Sequence, residues 1–374
     1  MPSPKPARPG DAIDGVDTPA LIVDLDTLDV NIAAMAAHAR RSNLALRPHA
    51  KTHKSVDIAK RQLAAGAIGL CCQKVSEAEA LLPSGVADMV ITNHIVGARK
   101  LTQLAELAKQ VRVTTLVSDA RHAAWLSEAA QATGVEIEVL IEIDAGDARM
   151  GLADAAALPA LAVAVHGAPG LRLRGLQVYN GPFQHLRSQQ ERAGASRKAA
   201  ERAGDARAAM LSAGLPCELI TGGGTGSFAE DAALGVFTEL QPGSYVFMDG
   251  DYARNVAADG SSYQPFGQSL FVLTSVLRTP APGIAYVDAG AKALNLDSGM
   301  PTIHGRPDLA FTKASDEQGR VETMPGGEAP ALGERLMIVP SHCDPTVNQF
   351  DWFVAVRGDV VEDVWPVDAR GCVL

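Results

Sequence analysis

The sequence predicts an α/β chain: a (β/α)₈ barrel of the TIM type followed by an antiparallel β domain. Three observations predict it. From Asn43 to about Gly243, eight short β-rich runs alternate with Ala- and Leu-rich stretches of helical period, the pattern of a parallel sheet wrapped by helices. That span suits a barrel of about 200 to 250 residues. Beyond Gly243 the helical period disappears, and β-branched runs separated by Gly/Pro turns take over. The total of 374 residues leaves room for both units at about 150 residues per domain.

The elements follow in order. Ala20–Val23 is a short apolar run before a first helix at about Thr27–Arg41. The eight barrel strands are expected at Leu44–Pro48, Ile68–Cys72, Asp88–Thr92, Val111–Ser118, Glu136–Asp144, Leu173–Tyr179, Cys217–Thr221 and Val236–Leu240. Helical stretches fall between most of them, at Val56–Ala65, Ser76–Leu82, Ala98–Lys109, Ala120–Ala132, Asp154–Val165 and Gln189–Ser212. The tail strands are expected at Ser269–Val276, Ile284–Asp288, Arg335–Val339 and Trp352–Val356. The barrel is therefore assigned to residues 27–265 and the β domain to 266–374, with the N-terminal segment 11–26 expected to join the latter.

Composition narrows the function. Hydrophobic residues make up 47% and aromatics only 5%, so burial falls on Ala, Val and Leu. Lys and Arg number 33 against 43 Asp and Glu, a formal charge of −10, and no basic block interrupts the chain. Nucleic acid and anionic membranes are excluded as partners on that ground. No apolar run reaches the roughly 18 residues of a membrane span. Met1–Gly10 carries four prolines and no apolar core, so it reads as a floppy arm and not a signal peptide. Five cysteines (Cys71, Cys72, Cys217, Cys343, Cys372) without C-x-x-C spacing read as reduced thiols of a cytoplasmic protein.

In a barrel of this class, chemistry is carried by the C-terminal ends of the strands. The first strand ends in Arg47-Pro48-His49-Ala50-Lys51-Thr52-His53-Lys54, the second in Gln73, and the third in Asn93-His94. The fourth ends at Asp119, the fifth at Asp144 followed by Arg149, and the sixth at Tyr179-Asn180. The seventh runs into Thr221-Gly222-Gly223-Gly224-Thr225-Gly226-Ser227 and the eighth into Gln241-Pro242-Gly243-Ser244-Tyr245. Lys51 is either a solvated rim residue or an amine able to form a Schiff base, its pKa lowered by the cations around it. The glycine run is either a flexible turn or a nest of backbone N–H groups for a phosphate. It is not a Walker A loop, because no Gly-Lys-Ser/Thr follows. A phosphate nest opposite a Schiff-base lysine points to pyridoxal 5′-phosphate. In Pro340-Ser341-His342-Cys343-Asp344-Pro345 an extended backbone would put His342 and Asp344 on one face, as a two-residue metal clamp or as ordinary strand-end polar groups.

These motifs, with Cys71-Cys72-Gln73-Lys74-Val75-Ser76-Glu77-Ala78, together resemble the D-threonine aldolase/D-serine dehydratase family, in order and spacing from Asp17 to Gly371. The resemblance implies a fold-type III pyridoxal-phosphate enzyme with an alanine-racemase-like barrel and β domain. It also implies a homodimer, a D-configured 3-hydroxy amino acid as substrate and a divalent metal. By position, Lys51 would hold the cofactor. Thr221, Gly223, Gly224, Thr225, Gly226, Ser244 and Tyr245 would take its phosphate, and Gln73, Arg149 and Tyr179 would contact the ring. His342 and Asp344 would bind the metal, and His185 would act as acid or base. Where aldolase relatives often have a histidine after the tyrosine, this chain has Asn180, which bears on substrate preference.

The imidazole–carboxylate pair favours Mn²⁺ or Mg²⁺ over the Zn²⁺ that a His-x-Cys pair would suit. Retro-aldol cleavage is therefore expected, with D-threonine giving glycine and acetaldehyde, or D-3-hydroxyaspartate giving glycine and glyoxylate. The alternatives are a D-serine or D-3-hydroxyaspartate dehydratase, a non-catalytic pyridoxal-phosphate-binding homeostasis protein, and a metal-only hydrolase on the same barrel.

Overall fold

A computed structural model describes residues 3–374. The chain opens with strand β1 (Ala20–Asp24) and helix α1 (Leu25–Arg41). The Asp24 side chain accepts from the Thr27 N–H at 3.0 Å and starts α1. The helix buries Leu28, Ile32, Met35, Ala36 and Ala39 on one face.

The barrel then alternates as expected: β2 (Ala45–Leu46), α2 (Val56–Ala64), β3 (Leu70–Cys72), α3 (Val75–Leu81), β4 (Asp88–His94), α4 (Ala98–Leu107), β5 (Arg112–Val117), α5 (Ala120–Thr133), β6 (Ile137–Glu142), α6 (Leu158–His166), β7 (Leu171–Val178), α7 (Gln189–Ser212), β8 (Leu219–Gly222), α8 (Phe228–Ala233) and β9 (Glu239–Leu240). All strand pairs in the order β2-β9-β8-β7-β6-β5-β4-β3 are parallel. Backbone bonds from Ile68 to Leu46, Cys71 to Pro48 and Ala50 to Cys71, at 2.8–2.9 Å, join the first barrel strand to the second. Strands buried on both faces explain the continuous apolar runs, as in β6, where every residue is buried. Helix α7 opens with a capping box between Ser188 and Glu191 and faces the barrel with Ala195, Ala199, Ala203 and Ala206. Small side chains let it pack close, which is where the alanine-rich composition is used.

The second sheet is built from β10 (Leu270–Ala281), β11 (Ile284–Val287), β12 (Thr302–Ile303), β13 (Leu309–Ala314), β14 (Gly319–Thr323), β15 (Arg335–Val339), β16 (Trp352–Arg357) and β17 (Val360–Pro366), with helix α9 (Cys343–Val347) before β16. β1 lies within this sheet, antiparallel to β10 and parallel to β16. The register Ile22 to Phe271 and Val354 sets apolar residues side by side. The sequence patterns missed α8, β12, β13, β14, β17 and α9. These are short or exposed pieces whose period is too brief to register.

Two expectations are corrected here. The N-terminal arm is tied down from Ser3 onward, with Ser3 N–H to Asp351 at 2.7 Å, the Lys5 amine to the Val364 carbonyl at 3.1 Å, and Ala7 buried. The segment Pro340–Pro345 is also not extended throughout: α9 starts at Cys343, so strand alternation does not govern where His342 and Asp344 point. The five cysteines are free thiols, four of them buried. No helix among the described residues is long and apolar enough to cross a membrane.

Candidate active site

The C-terminal ends of the barrel strands open into a cleft of about 630 Å³, whose lining includes His49, Lys51, Thr52, Tyr179, His185, Gly224, Thr225, Gly243, Ser244, Tyr252, His342 and Asp344. A smaller lobe of about 330 Å³ shares His49, Lys51, Tyr179 and Gln241 with it and adds Gln73, Thr92, Glu142, Arg149 and Gln177. Lys51 stands at the junction, its side chain 39% exposed and its Nζ 3.6 Å from Asp344.

The basic run around Lys51 is taken apart by the fold. Arg47 is buried between Glu239 at 3.0 Å and Asp88 at 2.8 Å. Lys54 pairs with Glu77 at 2.8 Å, and the His53 ring nitrogen accepts from the Ser55 N–H at 3.1 Å. Removing one partner of a buried pair costs about 3–5 kcal/mol, so these charges hold the strand end in place. Only Lys51 and His49 face the cleft. Burial pushes the Lys51 amine down, but Asp344, Tyr179 and Glu77 outweigh it and the net shift is upward. This corrects the expectation of a pKa lowered by neighbouring cations. Burial and the adjacent Lys51 push His49 well below the usual imidazole range, so it is neutral, and it hydrogen-bonds Thr92 at 2.9 Å.

The glycine-rich loop reaches the cleft in part. Gly224 and Thr225 line it. The Gly226 N–H instead donates to Gln184 Oε1 at 2.9 Å, and Gly223, at φ +71°, packs against Asp231 and Leu240. Thr221 is fully buried and donates to Glu239 at 2.7 Å. The Tyr245 side chain lies in the core, with Gln62 donating to its hydroxyl at 3.1 Å and Phe266 packed on its ring. The side chains of Thr221 and Tyr245, and the glycines 223 and 226, are therefore corrected out of the cleft lining. Asn180 also turns away, accepting from the Phe183 N–H at 3.1 Å.

What remains forms a cradle. The buried Thr52 hydroxyl has no hydrogen-bond partner. A Cβ on Gly243 would come within 2.6 Å of that oxygen and 3.2 Å of the His49 carbonyl, so only glycine lets the backbone approach there. Thr52, Gly224, Thr225, Gly243 and Ser244 offer hydroxyls and main-chain groups, which fits a phosphate.

In the same cleft, His185 lies 2.9 Å from Asp251 through Nδ1, an ion-pair contact without hydrogen-bond geometry, with its ring 4.7 Å from that of Tyr252. Asp251 also pairs with Arg187 at 2.6 Å and Arg254 at 2.5 Å. Burial opposes ionisation of Asp251, yet His185 and the two guanidinium groups outweigh it and hold its carboxyl below the usual range. His342 sits 2.9 Å from Asp297 through Nδ1. A carboxylate only accepts, so Nδ1 is the donor; burial opposes protonation of His342, but Asp344, Asp297 and Asp249 outweigh it and raise its pKa, and a cation at Nε2 would displace a proton there. With Asp344 beside it the donor set fits one divalent cation with open positions, although the described residues contain no cluster of three or more such ligands. Arg149, 5.8 Å above the Tyr179 ring, and Gln73, bonded to Thr92, frame the smaller lobe.

Sequence reasoning missed Thr52, Asp251 and Tyr252. Asp249, Asp251 and Tyr252 fall within four positions just after the last barrel strand, in a chain with only five tyrosines, and that cluster was the available signal.

Fold and site together define a parallel barrel with a lysine-bearing cleft at the C-terminal rim of its strands. The chain belongs to the family described as alanine racemase, N-terminal domain, whose model matches residues 23–251, and a putative serine dehydratase domain matches residues 269–356. It is 47% identical to a D-threonine aldolase of Arthrobacter sp over 368 residues, covering 98% of this chain and 96% of that one. It is 43% identical to a 3-hydroxy-D-aspartate aldolase of Paracoccus denitrificans (strain Pd 1222), covering 98% and 95%. The crystal structure of D-threonine aldolase from Filomicrobium marinum superposes with a TM-score of 0.96 at 46% identity, covering 100% of both chains. A D-threo-3-hydroxyaspartate dehydratase of Delftia sp. (strain HT23) is 32% identical, covering 94% and 97%.

Proposed function

We propose that the chain cleaves D-3-hydroxy amino acids by a retro-aldol reaction, using pyridoxal 5′-phosphate and a divalent metal. The observation that carries this reading is convergence: Lys51, the Thr52–Gly243 cradle, the His185–Asp251 pair and the His342–Asp344 pair all open on one cleft. The greater identity to relatives named aldolases than to the one named a dehydratase supports it.

Lys51 would hold the cofactor covalently, while Thr52, Gly224, Thr225, Gly243 and Ser244 hold its phosphate and Gln73, Arg149 and Tyr179 bound its ring. When bound, the cofactor supplies an electron sink for the charge left at Cα. His342 and Asp344 would hold the cation, a Lewis acid that makes a substrate hydroxyl more acidic; imidazole plus carboxylate suits Mn²⁺ or Mg²⁺. His185 does the proton transfer. Its Nδ1 faces Asp251 at 2.9 Å, and the other ring nitrogen, Nε2, would take the β-hydroxyl proton as Cα–Cβ breaks. Tyr252 packs on the imidazole and fixes its tilt. A cytoplasmic homodimer completes the proposal, supported by the free thiols and the family resemblance.

Two measurements test it. D-Threonine with Mn²⁺ should give glycine and acetaldehyde, and D-3-hydroxyaspartate glycine and glyoxylate; dominant 2-oxobutanoate and ammonia from D-threonine would establish dehydration instead. His185→Gln should lower kcat by about 10²–10⁴-fold while the visible absorbance of bound cofactor stays unchanged. A variant that keeps wild-type kcat would remove His185 from the proton transfer.

A further inference from the structure

Asp249 is 1% exposed and none of the proposed chemistry uses it. Its carboxylate has no basic side chain in an ion pair; backbone N–H groups satisfy it instead. Oδ1 accepts from Asp251 at 3.1 Å and Tyr252 at 3.0 Å. Oδ2 accepts from Cys343, the first residue of α9, at 2.9 Å. His342 occupies the N-cap position of that helix but makes no side-chain capping bond, so the cap is supplied across the fold by Asp249. Two main-chain bonds run alongside, from Gly250 to the Pro340 carbonyl at 2.9 Å and from Asp251 to the Ser341 carbonyl at 3.0 Å.

The two segments this carboxylate grips are the two halves of the site. One carries Asp251 and Tyr252, which orient His185. The other presents His342 and Asp344. A cap supplied by a neighbouring residue of α9 would hold that helix alone. An acceptor shared between the segments makes the position of one depend on the position of the other.

We propose that Asp249 is a positioning residue that couples the metal pair to the proton-transfer pair, so that occupation of His342 and Asp344 by a cation rigidifies the loop that aims His185. The proposal rests on reading His342 and Asp344 as the metal ligands. An amide in place of the carboxylate keeps one acceptor and points an NH₂ at an N–H donor. Asp249→Asn should therefore release one segment or the other. Coupling of this kind is reciprocal.

The test uses the holoenzyme with bound pyridoxal phosphate, and Mn²⁺ as the probe. Hydrogen–deuterium exchange is followed in peptides spanning residues 247–255 and 340–347. In wild type, Mn²⁺ should slow exchange in residues 250–252, which hold no metal ligand. Asp249→Asn should bind Mn²⁺ about tenfold more weakly by calorimetry, within the range seen when a group supporting a metal ligand is lost. It should also abolish the Mn²⁺ effect on residues 250–252 and lower kcat more than it raises KM, with cofactor absorbance intact.

Cys343→Pro is the second variant. It removes the N–H given to Oδ2 together with the thiol that reaches Asp344 Oδ1 at 3.4 Å, so Cys343→Ala, which loses the thiol alone, is its reference; the position is a first helical one where proline is tolerated, after a residue already in the β region at φ −144°, ψ 117°. Cys343→Pro should weaken Mn²⁺ and break the coupling while leaving metal-free exchange at 250–252 as in wild type. If metal-free Asp249→Asn exchanges like wild type in both segments, or if Cys343→Pro retains the full Mn²⁺ effect, the coupling is overturned. Mn²⁺ affinity unchanged by His342→Ala would overturn the metal-pair reading instead, a result independent of metal-free exchange.

Discussion

Lys51→Ala is expected to abolish the visible absorbance of bound pyridoxal phosphate and to lower kcat/KM by on the order of 10³-fold or more, since both covalent attachment and activation by the amine are lost. The fold argues for this lysine over its neighbours. Lys54 is buried against Glu77, and Lys74 sits at the start of α3, outside the lining of the cleft. Of these three lysines, Lys51 alone lines both lobes, with Thr52, Gly243 and Ser244 in one and Arg149 and Gln73 in the other. Borohydride reduction followed by peptide mapping checks the assignment: the pyridoxyl label belongs on Lys51, and recovery on Lys54 or Lys74 would refute it.

Asp344→Ala should lose the metal-stimulated rate while keeping the cofactor. The expected loss is about 10²-fold or more in kcat, the scale on which removal of a preorganised electrostatic contact to a reacting oxygen is felt. Asp344 is also the carboxylate nearest Lys51, at 3.6 Å, so the variant separates two roles. If Asp344 serves the metal, the rate in Mn²⁺ falls to the rate in chelator. If it serves only as counter-ion to Lys51, both rates fall together and Mn²⁺ still stimulates, which would refute the clamp. His342→Ala, which leaves the Lys51 pair in place, should reproduce the loss of metal stimulation.

The sequence carried the barrel because eight apolar strands and their amphipathic helices each repeat a pattern long enough to detect, and β6 or α7 can be read from their own residues. The same holds for the positions of Lys51, His342 and Asp344, which strand-end logic and motif spacing brought forward. It did not hold for α9, where a five-residue helix replaced the expected extended run.

By itself the sequence determined the fold class, which follows from local period, and it brought Lys51, the glycine loop and the imidazole–carboxylate pair forward as candidates through strand-end position and family resemblance. The tertiary structure decided which members of each motif face the cleft. Thr221 and Tyr245 sit in the predicted motifs, yet Glu239 and Gln62 claim their hydroxyls in the core. Arg47 and Lys54 flank Lys51 in sequence, yet buried carboxylates from distant strands and helices neutralise them. Asp251, Tyr252 and Asp249 enter the site through contacts with His185 and Cys343, 66 to 94 residues away along the chain. A motif fixes which groups are available, but burial forces every polar group to find a partner. Those partners come from parts of the chain that only the closed barrel and the docked sheet bring together.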